Sequence, residues 1–208
     1  MVTWLSLWVA VQATKGLFDQ VKNKSNKLAA LGKVNLSYWG MYLAHMGMVF
    51  SFSGVAYLSE YGIEKDIKLA QGGQVELSGY RFSFDSMSEA QGPNYVATTA
   101  SFSVYDGDER IATLIPEKRT YLVQTMPMTE AAIDPGFLRD LYIALGEPLP
   151  DGSWAIRIYF KPFIRWIWLG GILMAFGGCI AVADKRYRAK AKKRVTENKV
   201  EMPAEALS

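Results

Sequence analysis

Two long stretches of this chain carry no charged side chain, and they flank a stretch in which apolar residues alternate with polar ones. The first uncharged run, residues 36–58, holds 23 residues, and the second, residues 166–183, holds 18. A helix rises about 1.5 Å per residue and the hydrocarbon core of a bilayer is about 30 Å thick. The first run is long enough to span with some tilt, and the second spans once Phe163 and Ile164 extend it. Tyr38 and Trp39 stand near one end of the first run, and Tyr57 and Tyr61 near the other. Aromatic rings favour both membrane interfaces, which supports the span. A third run, residues 1–14, stops at Lys15 and is short for a span, so a partial transmembrane helix is expected over residues 1–18. Val11, Gln12 and Ala13 resemble a signal-peptide cleavage site, but no basic residue precedes the apolar run, which argues against cleavage.

Between the spans the period changes from helical to strand-like. In "QVELSGYRFSF", Val75 and Leu77, then Tyr80, Phe82 and Phe84, alternate around Ser78 and Gly79, which predicts a hairpin. In "YVATTASFSVYDGDERIATLI", Val96, Thr98, Ala100, Phe102 and Val104 are expected on one face, with a turn at Asp106 and Gly107. "RTYLVQ" and "SWAIRIYF" alternate in the same way, the latter entered through Asp151 and Gly152. "FLRDLYIALGE" fits a helix through Phe137, Leu138, Leu141 and Leu145, and a strand equally well through Leu141, Ile143 and Leu145. The expected architecture is a membrane protein of α + β class, with transmembrane helices flanking a small antiparallel β-sandwich or partial barrel.

Charge divides the chain as sharply as hydrophobicity does. Residues 61–163 carry nine basic and fourteen acidic side chains, a net of −5, whereas residues 164–208 carry nine basic and four acidic ones. Residues 1–60 hold five Lys against one Asp and one Glu. Basic segments beside spans stay in the cytoplasm. The loop at 19–35 and the tail at 185–208, with its "KRYRAKAKKR", are therefore expected inside, and the β domain outside. Directly after a span such a basic run reads as a juxtamembrane anchor on membrane lipid rather than as a nucleic-acid patch, so no nucleic-acid partner is expected. Polar composition after Val195 predicts disorder. Cys179 is the only cysteine and falls in the last apolar run, which excludes an internal disulfide and a zinc site built on cysteines.

His45 is the only histidine, and it lies inside the first uncharged run. On a helix its face is shared by Tyr38, Met41, Tyr42, Met48, Val49 and Phe52, while Gly40, Ala44, Gly47, Ser51 and Gly54 form the opposite side. The small residues predict a seam against another helix. Met and aromatic residues could instead wall a flat apolar ligand. An ionisable group in a membrane is a functional candidate by default, yet a histidine hydrogen-bonded to a neighbouring helix accounts for it as well. One histidine suits haem better than zinc or copper, because the porphyrin already fills four positions on the iron. On the residues alone both readings stand.

Three separated blocks narrow the choice: "SYWGMYLAHMGMVFSFSG", "EKRTYLVQTMPMTEAAI" and "RDLYIALGEPLPDGSWAIRIYFKPFIRWIWLGG". Over residues 4–188 the chain resembles the C-terminal part of CcmF, the haem-lyase subunit of the system I cytochrome c maturation machinery. The resemblance favours strand for "FLRDLYIALGE". It implies an inner-membrane protein with the β domain in the periplasm, which takes haem from the chaperone CcmE and joins its vinyl groups to the Cys-x-x-Cys-His thiols of apocytochrome c. Apocytochrome handlers of the CcmH and CcmI type are implied partners. It also implies a membrane haem b with histidine ligands from two helices, one of them matching His45. The second ligand, the tryptophan-rich haem-handling segment and two outside-facing histidines belong to an upstream portion that this sequence does not contain. A split-gene product or truncated gene, inactive as a lyase alone, is the corresponding expectation.

The domain plan is then a partial transmembrane helix at 1–18, a basic cytoplasmic loop at 19–35 and a transmembrane helix with His45 at 36–60. A periplasmic β domain follows at 61–162, then a transmembrane helix at 163–184 and a basic tail at 185–208. A different class of function is also open: a membrane-anchored docking module whose acidic domain steers a basic apocytochrome or maturation partner, with His45 only packing. Glu117, Lys118 and Arg119 could receive haem propionates, but a solvated strand end explains them better. Met126 and Met128 could suggest copper, although core packing is the expectation. Thr129, Glu130, Arg139 and Asp140 could be catalytic only by proximity. Lys161 and Arg165 are expected to snorkel to headgroups.

Overall fold

The computed structural model describes residues 2–123 and 125–184, so the basic tail and its expected disorder lie outside the described residues. Two compact units divide the chain: residues up to Ala56 together with those from Trp166 onward, and Tyr57–Arg165.

The first unit is helical. Helix α1 spans Val2–Val21, and α2, Lys27–Leu31, is capped by the Asn26 side chain, which accepts from the Ala29 N–H at 3.1 Å. Helix α1 runs past the expected limit at residue 18, through Lys15 and Asp19, both of which face outward. Helix α3 covers Leu36–Tyr61, and α4, the last helix, covers Ile164–Ala183; both are long and apolar enough to cross a membrane. The glycine seam forms as the spacing predicts. Gly40, Gly47 and Gly54 are buried on α3, as are Gly170 and Gly177 on α4. A Cβ built on Gly47 would lie 2.6 Å from the Gly170 carbonyl oxygen, and one on Gly177 would lie 2.5 Å from that of Gly40. Backbones this close tolerate no side chain. Ser51 Oγ donates to the Ile167 carbonyl at 3.1 Å, which satisfies a hydroxyl in the same seam. At the other end, the buried Asp184 carboxylate accepts from the Ser37 N–H at 3.0 Å, placing an anion on the N-terminus of α3.

The second unit is a β-sandwich. Its strands are β1 (Ile63–Leu69), β2 (Gln74–Leu77), β3 (Tyr80–Gln91), β4 (Tyr95–Asp106), β5 (Glu109–Leu114), β6 (Glu117–Tyr121), β7 (Pro127–Glu130), β8 (Ala132–Pro135), β9 (Arg139–Pro148) and β10 (Trp154–Pro162). One antiparallel sheet runs β1-β10-β9-β8; the other runs β2-β3-β4-β6-β7, with β5 paired to β4. Phe82, Phe84, Ala100, Phe102, Val104 and Leu114 from the larger sheet bury against Leu141, Ile143, Leu145, Ile156 and Ile158 from the smaller. β1 leaves α3 and β10 leads toward α4, and the two pair directly, Ile63 opposite Phe160. The two junctions with the helices are thus neighbours in one sheet.

Turn chemistry matches the sequence where glycine sets it. Ser78 and Gly79, at φ 51° and 83°, make the primed turn between β2 and β3. The next hairpin is centred one residue later than expected, on Gly107 and Asp108, with Asp106 opposite Glu109. "FLRDLYIALGE" resolves as strand, because Leu141, Ile143 and Leu145 all enter the core.

Three expectations need correction. Phe163 does not extend the last helix; its φ of 54° makes it a turn before Ile164. Val96 is exposed and Thr98 only half-buried, whereas Ala97 and Thr99 are buried. β4 is 12 residues long and pairs with β6 over residues 95–99 but with β5 over 102–106, and of the expected face Ala100, Phe102 and Val104 enter the core. Met126 and Met128 do not pack in the core: they are exposed, at the start of the short strand β7 whose Pro127 removes an amide donor.

The sandwich closes on its own core, so residues 62–162 expressed without the helices are expected to form a soluble β-rich domain. The segment contains neither histidine nor cysteine, so purification should yield it free of bound haem. Circular dichroism and the absorbance spectrum check both points; a mostly helical signal or retained haem would overturn them.

Candidate functional site

His45 projects from the middle of α3, and its side chain is exposed. Its Nδ1 lies 2.8 Å from the Met41 carbonyl oxygen one turn earlier. A carbonyl only accepts, so Nδ1 carries a proton and donates, which leaves Nε2 as the nitrogen not engaged by this bond. Metal-ligating histidines are oriented in this way, one ring nitrogen held by an acceptor and the other presented to the metal. Among the described residues the hydrogen-bond partner of the ring is on its own helix.

Around the ring is a half-open cavity of about 310 Å³. Tyr38, Met41 and Tyr42 line it from α3, as the helical spacing predicts, and Trp8, Val9, Gln12 and Ala13 close it from α1. α1 comes close to α3 at Gly16, where a Cβ would sit 2.6 Å from the Tyr38 hydroxyl. Met48 and Phe52, also expected on the histidine face, are exposed on α3 beyond this cavity. Sequence reading missed the contribution of α1. Its signal was present in Trp8 and Gln12, four residues apart and hence on one face.

The donor set and its surroundings fit an iron porphyrin better than a bare ion. Among the described residues no group of three or more His, Cys, Asp or Glu side chains comes together to hold a metal ion. A haem asks for a ligand nitrogen and an apolar wall, and His45 with Trp8, Met41 and Tyr42 are the residues here that could hold one.

The charged groups of the β unit serve one another. Arg119 bonds Glu117 at 2.8 Å, lies 3.6 Å from Glu130 and sits over the Tyr95 ring. The bond to Glu117 raises the guanidinium pKa further above its ordinary value, so this charge is fixed and already partnered. Lys118 pairs with Glu147 and donates to the Gly146 carbonyl. The Glu117, Lys118 and Arg119 group is thus a cross-strand ion network, neither a free propionate receptor nor a solvated strand end. Arg139 and Asp140, adjacent in sequence, turn to different partners. Arg139 reaches Asp134 at 2.5 Å and the Tyr80 hydroxyl at 3.1 Å; the buried Asp140 accepts from the Gly136 N–H at 3.0 Å and Arg165 Nε at 3.1 Å. Thr129 Oγ1 donates to the Leu145 carbonyl. Lys161 lies over the rings of Tyr142 and Tyr159. These contacts fasten strands and turns and assemble no reactive constellation.

Comparison with known proteins agrees with this architecture. The family described as CcmF C-terminal beta-sandwich matches residues 60–162. The cytochrome c-type biogenesis protein CcmF of Pseudomonas aeruginosa is 48% identical over 193 residues, covering 93% of this chain and 29% of that protein. Its counterpart in Escherichia coli is 40% identical over 192 residues, 92% of this chain and again 29% of that protein. The chain therefore spans less than a third of the length of these relatives. A solved structure of cytochrome c haem lyase CcmF superposes with a TM-score of 0.69, covering 86% of this chain and 29% of that one; at 17% identity it supports the fold. The chain belongs to the CcmF family, corresponding to the portion that carries its C-terminal β-sandwich.

Proposed function

We propose that this chain forms the C-terminal portion of a cytochrome c haem lyase in the bacterial inner membrane, with His45 as one axial ligand of a membrane haem b. The observation that supports the reading is His45 in the wall of an apolar cavity, with its Nδ1–H bound to the Met41 carbonyl so that Nδ1 is occupied and Nε2 is left as the nitrogen for a ligand. Trp8, Met41 and Tyr42 would wall the porphyrin, and the second ligand would come from an upstream portion of CcmF. Such a haem would supply one-electron transfer, passing electrons from quinol toward the haem being attached. Apocytochrome c is the acceptor, CcmE the haem donor, and CcmH or CcmI-type handlers the presenting partners. The net charge of −5 over residues 61–163 would steer a basic apocytochrome toward the domain.

Co-expression with the upstream portion tests this reading. A reduced bis-histidine absorbance spectrum in the purified pair is expected. A pair that assembles without haem would instead favour a docking module in which His45 has no ligand role.

Orientation follows from charge. With five Lys among residues 15–33 and the basic tail inside, the sandwich faces the periplasm. A reporter fused after Gly107 should be active only outside the cytoplasm, and reporters within residues 22–33 only inside. A cytoplasmic Gly107 reporter would reverse the assignment of both spans.

A further inference from the structure

Five lysines and one aspartate fall within residues 15–33, and the lysine side chains do not share one fate. Lys22 pairs with Asp19 at 2.8 Å, and Lys27 lies over the Phe18 ring, 5.6 Å from its centroid. Lys24 and Lys33 find no acidic, hydrogen-bonding or aromatic partner among the described residues. Both instead line one half-open cavity of about 430 Å³ between the end of α1 and α2, together with Gln20, Ser25 and Asn26. Among the described residues no carboxylate lines it. Two ammonium groups at one cavity repel each other, so an anion bound there gains from both. The rest of the polar lining can donate as well. Asn26 Oδ1 accepts from the Ala29 N–H at 3.1 Å, which leaves Nδ2 as the end able to donate. The Gln20 amide and the Ser25 hydroxyl have no partner among the described residues.

Local bonds fix the shape and the depth of this cavity. Val21 is buried at the end of α1, and its carbonyl accepts from the Lys24 N–H at 3.1 Å. On the other side the Lys33 N–H donates to the Ala30 carbonyl at 3.0 Å, and Trp39 Nε1 donates to the Leu31 carbonyl at 3.4 Å. Trp39 and Tyr38 belong to the first turn of α3, and aromatic rings at the end of a span mark the membrane interface. The cavity is thus tied to the level at which headgroup phosphates lie. Leu28, 82% exposed on α2, stands beside it as an apolar side chain that acyl chains would cover.

We propose that this cavity binds the phosphate of an anionic lipid headgroup, with Lys24 and Lys33 as the paired cations and Gln20, Ser25 and Asn26 as supporting donors. Basic pockets beside spanning helices hold lipid phosphates in this way. A lysine near an anionic surface contributes about fivefold in affinity, so the pair accounts for about thirtyfold. Free inorganic phosphate offers the same oxygens, but only the lipid is concentrated at this level. The proposal rests on the reading of α3 as a span and holds for either orientation of that span.

For the test, Cys179→Ser removes the only thiol of the full chain, and Leu28→Cys places one fluorophore beside the cavity. The labelled chain is reconstituted in phosphatidylcholine vesicles that contain either acyl-nitroxide phosphatidylglycerol or acyl-nitroxide phosphatidylcholine. Half-quenching is expected at about thirtyfold lower mole fraction of the phosphatidylglycerol probe. Lys24→Gln combined with Lys33→Gln should remove most of that preference. Lys22→Gln combined with Lys27→Gln makes the same change in net charge on the already partnered lysines and should keep it. All four lysines are exposed, so neither pair of substitutions removes packing. Excess inorganic phosphate at constant ionic strength should not relieve the quenching; relief would make free phosphate the ligand and overturn the lipid assignment. Equal losses from the two pairs, or no preference in the parent, would mean a diffuse basic surface and overturn the site. Alkaline extraction of the same vesicles reads the span separately. A chain released by carbonate would overturn α3 as a span and the proposal with it, whereas a retained chain without the preference would overturn the site alone.

Discussion

Replacing His45 with alanine is expected to abolish the low-spin haem b spectrum of the assembled lyase and to lower cytochrome c maturation with it. The expectation rests on what the substitution leaves intact as much as on what it removes. His45 lies within the unbroken α3, where the Met41 carbonyl also accepts the backbone N–H of residue 45. Losing the ring therefore strands no carbonyl, and alanine is the best helix former. Its side chain is exposed, so no packed core collapses. What disappears is the only imidazole this chain possesses, and with it Nε2. With one of two axial bonds gone, iron is expected to become high-spin or the haem to leave during purification. Added imidazole should partly restore the spectrum by filling the vacated position. His45→Tyr should retain some haem at a lower reduction potential, because an anionic oxygen favours ferric iron. Met48→Leu, on α3 beyond the cavity, should change little. A wild-type spectrum from His45→Ala at equal protein level would sink the ligand assignment.

How legible this site was depends on which contacts are local. The histidine, its own helix face and the acceptor one turn back all lie within a few residues, so periodicity alone places Tyr38, Met41 and Tyr42 beside the ring. The second wall is not local. Trp8 and Gln12 stand more than thirty residues upstream in a run too short to read as a full span, and only the packing of α1 near Tyr38 brings them to the cavity. The same division holds in the sandwich. Hairpins with a glycine at the turn were readable, since turn stereochemistry is a property of two residues. The extent of β4's inward face was not, because β4 changes partner along its length, from β6 to β5, and only its second half meets the core. Nor was the fate of Arg139 and Asp140 readable: adjacent side chains on a strand point to opposite faces, so each found partners far away in sequence. Met126 and Met128 misled for a simpler reason. Hydrophobicity marks what can be buried, and a short strand with a proline at its start has little to bury it.

Glycine pairs give the sharpest case of something the sequence poses and only packing answers. The last span contains Gly170 with Gly171 and Gly177 with Gly178, and nothing in either pair distinguishes its members. In the structure Gly170 and Gly177 are buried against α3, and a Cβ on either would press on its backbone. A Cβ on Gly171 or Gly178 would meet nothing within 4 Å. Gly170→Val and Gly177→Val are therefore expected to destabilise the detergent-solubilised protein by about 1–3 kcal/mol each, the cost of overpacking a site that cannot yield. Here the neighbours are main-chain atoms of α3, including the Gly47 and Gly40 carbonyls, so the upper part of that range applies. Gly171→Val and Gly178→Val should leave stability unchanged or slightly raised, since valine is the better helix former. Because the members of each pair differ by one position and share the same helix, the difference between them isolates the seam from propensity and insertion. Thermal scans followed by tryptophan fluorescence read it directly. The buried-site variants should also reduce haem occupancy alongside the upstream portion, since the seam sets the rotation of α3 and thus the direction in which His45 points. Equal midpoints for Gly170→Val and Gly171→Val would show that α3 and α4 do not pack through these glycines, and the placement of His45 opposite the seam would lose its support.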